Sequence, residues 1–140
     1  MKAVVVIDAN TILRIFDSGE GATRAHLLVK QIQKGSIVAH APSFLLIEVL
    51  NVLMKKKKYS KEDAREFIST IEHIGIQFID ISCERIGDLL DCAYSYNITP
   101  YDAQYVLLTS DLSCVLITQD KELLAIKGIG ITLDEYSISA

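Results

Sequence analysis

A chain of 140 residues, half of them hydrophobic and with a formal net charge of −4, is long enough to bury a core of its own and too apolar for a disordered chain. No apolar run approaches the roughly 20 residues of a membrane-spanning helix, and Cys83, Cys92 and Cys114 are odd in number and lack metal spacing, which leaves reduced, semi-buried thiols. The acidic balance argues against a broad nucleic-acid-binding face, but five of the fourteen basic residues, Lys55, Lys56, Lys57, Lys58 and Lys61, crowd into one segment.

In chain order, MKAVVVIDAN holds one lysine and an apolar run too short for a signal segment and broken by Asp8. Residues 3–7 read as a strand buried on both faces, and a cytoplasmic protein is expected. A helical pattern begins directly after Asp8-Ala9-Asn10 with Ile12, Leu13, Ile15 and Phe16. Residues 20–34 form a second helix stopped by Gly35, and residues 36–40 a second strand. Pro42 opens a helix over 43–55 that is apolar almost all round, which predicts burial in the core or between subunits. Ser60-Lys61-Glu62-Asp63 resembles a capping box for a helix ending at His73.

Residues 76–79 give a third strand and 82–96 another helix. Thr99 caps the next helix, with Pro100 in its first turn and Tyr101 to Leu108 on helical spacing. Residues 114–117 are a short buried strand. A helix after Asp120 is ended by Gly128-Ile129-Gly130, and residues 131–133 can supply an edge strand. Strands alternating with helices predict an α/β fold: a single domain over residues 1–140, a three-layer sandwich with a central, mainly parallel sheet of about five strands and helices on both faces.

Four acids stand at informative places. Asp8 and Asp120 each follow a strand, and Asp102 lies in a helix's first turn. Each of these three has a plain structural explanation, because Asp is a favoured helix cap and Thr99 to Asp102 resembles a capping box. Glu48 has none. It lies mid-helix among apolar residues, where an unpaired charge is expensive, with Asn51 three residues on along the same face. A cation at the C-terminal rim of the sheet would account for all four together. A carboxylate set without His or Cys suits Mg²⁺ or Mn²⁺ rather than zinc. His26 and His73 read as surface residues and His40 as a bystander. Gly19 to Ala22 lacks the strand and the Lys-Ser/Thr of a phosphate loop.

These residues carry a resemblance to the PIN-domain ribonucleases, most of all to VapC-type toxins of toxin–antitoxin pairs. It rests on VVVIDANTIL, FLLIEVLNVL, ITPYDAQYVLL and LITQD, in that order along the chain. The resemblance implies a PIN-like fold and a catalytic, metal-binding set of Asp8, Glu48, Asp102 and Asp120, holding one or two Mg²⁺ or Mn²⁺ ions. Asn10, Asn51, Thr99 and Thr118 would support these acids from behind. RNA phosphodiesters would be cleaved by metal-activated water. Lys121 and Glu122 stand where some members carry a further aspartate. A homodimer, an antitoxin partner and no membrane association are expected.

The lysine run Lys55 to Lys58 suits RNA contact, but taken alone it better suits a solvated helix end complementing the dipole. Two other readings stay in view. One is a non-catalytic PIN-like interaction module. The other is a phosphatase of the haloacid-dehalogenase type, whose strand–Asp-x-Asp-x-Thr opening Asp8-Ala9-Asn10-Thr11 approaches, with Asn10 in place of the second acid.

Overall fold

Among the described residues the short apolar runs of the sequence become five strands: β1 (Ala3–Ile7), β2 (Ile37–Pro42), β3 (Gln77–Ile79), β4 (Val115–Ile117) and β5 (Gly130–Ile131). They form one sheet in the order β3-β2-β1-β4-β5, and every pairing is parallel. The computed structural model describes residues 2–17 and 19–138. Met1, Ser18, Ser139 and Ala140 of the expected 1–140 domain lie outside the described residues.

Among the described residues seven α-helices connect the strands: α1 (Ala9–Leu13), α2 (Glu20–Gln33), α3 (Phe44–Asn51), α4 (Lys61–Glu72), α5 (Ile86–Tyr96), α6 (Pro100–Asp111) and α7 (Lys121–Leu124). From β1 the chain winds outward through β2 to β3, then crosses back to β4 and β5 on the other side of β1. By the right-handed rule for parallel crossovers, connections running in opposite directions from β1 would place α1–α4 and α5–α7 on opposite faces of the sheet. The strand order therefore reverses between β1 and β4, the switch point where open α/β sheets form a crevice beyond their strand ends.

The core is built on the central strands. Val5, Val6, Ile7, Leu116 and Ile117 have no exposed surface, as expected for parallel strands covered on both faces. Helix α6 lies against β1, β2 and β4 and buries Ala103, Tyr105, Val106, Leu108 and Thr109. Its start is set by Thr99, whose hydroxyl accepts from the Asp102 amide at 3.2 Å, with Pro100 in the first turn. Helix α5 ends at Asn97, which takes the left-handed conformation at φ 54°, a role Asn fills almost as readily as Gly. Among the described residues no helix is long and apolar enough to cross a membrane.

Several local expectations are corrected. Pro42 does not open a helix; it is the last residue of β2, paired with Ile79 of β3. The expected helix over 43–55 is α3 followed by a π-helical turn over Val52–Lys56. It is not buried all round, since Ile47 is 56% and Met54 63% exposed. The helix after Asp120 stops at Leu124, well short of Gly128. Cys92 and Cys114 are half-buried, but Cys83 is exposed. His26 and His73 lie on the surface as expected.

Candidate active site

Asp8 leaves the end of β1 at the switch point and is 95% buried by its surroundings, with a relative exposure of 5%. Its carboxylate is the hub of a small network. Oδ1 accepts from the Thr11 amide at 2.9 Å and the Thr11 hydroxyl at 2.8 Å, while that hydroxyl also lies 3.0 Å from the Ile117 carbonyl at the end of β4. Oδ2 accepts from the Thr118 hydroxyl. Thr118 in turn accepts from the Asp120 amide at 3.0 Å, so one hydroxyl links the first and last acids. Asp8 caps α1, and Asp120 caps α7 by accepting from the Glu122 amide at 2.8 Å. Capping and a place in the crevice are thus both true of these residues.

Glu48 comes from α3 and Asp102 from the first turn of α6. Oε1 of Glu48 accepts from the Tyr105 hydroxyl at 2.7 Å. All four acids line a single cleft of about 190 Å³ together with Ala9, Asn10, Val52, Lys56, Tyr105 and Leu123. The other predicted residues divide. Asn10 lines the cleft but is exposed; Thr118 is fully buried against Asp8; Thr99 supports the Asp102 backbone from an exposed position. Asn51 is a correction. It is exposed and does not line the cleft, because three residues on an α-helix turn it about 60° away from Glu48.

The lysine run also divides. All four lysines are exposed, but of the run only Lys56 lines the cleft. Lys57 pairs with Asp17 at 3.6 Å. In an unbroken α-helix Lys56 would stand roughly 80° around the axis from Glu48. The π turn advances roughly 15–20° less per residue over four residues, which brings Lys56 back over Val52 and Glu48. Such turns are rare and gather at functional sites.

The electrostatics follow from burial and crowding. Burial raises the Asp8 carboxyl above its ordinary range, with Asp120 adding repulsion and the Thr118 and Thr11 donors opposing. Glu48 is raised by burial and by Asp102 and Asp8, against the Tyr105 donor. Asp102 is raised by burial and by Asp120, Glu122 and Asp8, with the Thr99 hydroxyl pulling the other way. Burial and then Glu48 push the Tyr105 phenol far above its ordinary range, so it keeps the proton it donates to Glu48. Burial lowers His40, which stands outside the cleft, a bystander.

The donor set fits a hard divalent cation: carboxylate oxygens only, three of them held above their ordinary range by burial and by each other. As the side chains stand, no three such groups among the described residues are drawn together tightly enough to form a finished metal cluster.

A model of the PIN domain matches residues 5–129. The chain belongs to the PIN domain family. This family is generally one of nucleases, and the assignment removes the haloacid-dehalogenase alternative. Solved structures agree on the fold. PAE2754 from Pyrobaculum aerophilum is 21% identical, with a TM-score of 0.69 over 96% of this chain and 93% of that one. A chain of a toxin–antitoxin complex from Klebsiella pneumoniae is 19% identical, with a TM-score of 0.62 over 96% of this chain and 99% of that one. No curated protein matches.

Three residues of the site escaped sequence reasoning: Thr11, Tyr105 and, singly, Lys56. Thr11 follows Asp8 by three, the spacing at which an N-cap side chain meets its amide partner, and could have been found that way. Tyr105 follows Asp102 by three within one helix. Its bond to Glu48, 57 positions away, carries no local signal.

Proposed function

We propose that this protein is a metal-dependent endoribonuclease, the toxin of a toxin–antitoxin pair, acting as one PIN-like domain over residues 1–140. The observation that carries this reading is the arrival of Asp8, Glu48, Asp102 and Asp120, from four separate stretches of a PIN chain, in one crevice at the sheet's switch point. These four would hold Mg²⁺ or Mn²⁺, one ion or two. When bound, such an ion supplies Lewis-acid activation of the attacking water and neutralises charge on the phosphate and leaving oxygen.

The protein's own residues do the rest. Thr11 and Thr118 hold Asp8 from behind, and Thr118 ties it to the turn that presents Asp120. Lys56, at the edge of an otherwise acidic cleft, is placed to hold a backbone phosphate as a point charge. Lys55 and Lys58 would extend that contact along the strand. Lys57, tied to Asp17, would contribute least. An acidic chain can thus bind RNA through a local basic edge.

Exposed apolar residues support a homodimer: Ile47 on α3, and Ile86, Leu90 and Tyr94 spaced four apart on α5, a stripe of the kind that marks protein contacts. The likeness to a chain of a toxin–antitoxin complex supports an antitoxin partner. A cytoplasmic setting fits three free cysteines. A non-catalytic PIN module is the second reading, favoured by the spread of the four carboxylates. Incubating the purified protein with RNA, with Mn²⁺ or with EDTA, separates the two: cleavage only with the ion is expected, and no cleavage under either condition favours the second.

A further inference from the structure

We propose that Tyr105 is a positioning residue for Glu48, its hydroxyl fixing one carboxylate oxygen and so setting where the other stands in the cleft. This rests on the metallonuclease reading above, and deepens it.

Tyr105 is 2% exposed on a helix seated against three central strands, so its hydroxyl has a rigid base. It lies one turn after Asp102 on α6, which puts the two on neighbouring positions of one helix face, and both border the cleft. From there the hydroxyl donates 2.7 Å to Oε1 of Glu48 on α3. A buried phenol needs an acceptor, and a backbone carbonyl would have met that need. Here the acceptor is an acid of the cleft.

The contrast with Asp8 shows what the bond does. Asp8 is a short side chain held by donors from Thr11 and Thr118. Glu48 has one more rotatable bond, and Tyr105 is its sole side-chain hydrogen-bond partner among the described residues. Without it nothing polar selects among the rotamers of Glu48. With it, Oε1 is fixed in place, and the position of Oε2 is tied to the helix that carries Asp102. One hydroxyl therefore relates the acids of α3 and α6, as a single hydroxyl on Thr118 relates those following β1 and β4. Partners behind a ligand of this sort typically change metal affinity or activity by 10–100-fold.

The test is calorimetric titration of the full chain with Mn²⁺ alone, for the parent, Tyr105→Phe, Glu48→Gln and the double variant. Phe keeps the ring in the core and removes only the donor. The expected result is a roughly 10–100-fold loss of Mn²⁺ affinity in Tyr105→Phe. In the Glu48→Gln background the same change should alter affinity by less than about twofold, since the residue it positions is gone. Ion-free melting checks that the variant folds. A Tyr105→Phe variant that binds Mn²⁺ within about twofold of the parent, while Glu48→Gln does not, overturns the positioning role and leaves the nuclease reading standing. Equal losses in both backgrounds also overturn it, as does a Tyr105→Phe variant that no longer folds, for the hydroxyl is then a structural contact. A parent that binds neither Mn²⁺ nor, titrated in the same way, Mg²⁺ overturns the nuclease reading, and the positioning role with it.

Discussion

Asp8→Asn separates the two things Asp8 does, because Asn caps a helix about as well as Asp. The amide oxygen can still accept from the Thr11 amide and hydroxyl, the bonds of 2.9 and 2.8 Å. Its NH₂ cannot accept from Thr118 but can donate to that hydroxyl once it rotates, so the cost is at most one bond to a charged group, about 1.5–3 kcal/mol. Against that, the variant no longer buries an ion at a site 5% exposed, where the penalty is several kcal/mol, and repulsion with Asp120 disappears. The ion-free variant is expected to be as stable as the parent or more so. The response to metal should differ sharply. At an ion concentration 100 times Kd the parent gains about 2.7 kcal/mol of stability. A hundredfold weaker site at the same concentration gains only about 0.4 kcal/mol by the same relation. For a chain of this size the first is a shift of several degrees in Tm and the second about one degree. Melting curves with and without Mn²⁺ read both quantities. An Asn variant that loses more than about 2 kcal/mol without metal, yet keeps the full Mn²⁺ shift, would make Asp8 a structural hub and not a metal ligand.

Three further outcomes are expected. Asp8, Glu48 and Asp102 are all raised in the folded protein, so the native state holds more protons than the unfolded chain. The stability they contribute is complete below the ordinary carboxylate range and is lost as pH rises through the raised values; urea midpoints in EDTA that rise with pH across this window would contradict it. Lys56→Gln should weaken RNA binding and lower the log–log salt slope by about one unit, whereas Lys57→Gln should change the slope little; equal slopes for parent and Lys56→Gln remove Lys56 from the interface. Light scattering should find a dimer that Leu90→Asp dissociates, and a parent that is monomeric at micromolar concentration counts against the exposed α5 stripe as a self-association face.

The parallel sheet was legible because buried strands are written as short β-branched runs followed at once by helical spacing, as from Val4 to Leu13. The acids were legible for a related reason: a charge in an apolar helix, such as Glu48, demands an explanation that a surface acid does not. Pro42 misled because a proline before an apolar helix reads as its first turn, and only the pairing of β2 with β3 places it in a strand. The π turn escaped because its bonds, including Lys57 amide to Val52 carbonyl at 3.0 Å, depend on how the chain leaves α3. Four successive lysines do not reveal which one returns to the cleft. Asn51 was read from a same-face rule that is loose by about 60° at three residues, enough to move a side chain from a cleft into solvent.

The most direct measurement is Mn²⁺-dependent cleavage of RNA by the parent beside Asp8→Asn, Glu48→Gln, Asp102→Asn and Asp120→Asn, each first shown to be folded by ion-free melting. Cleavage by the parent that EDTA abolishes is expected, with a loss in every variant at least as large as the 10–100-fold typical of removing a partner behind a ligand. Folded variants that cleave RNA as fast as the parent would contradict the metallonuclease reading.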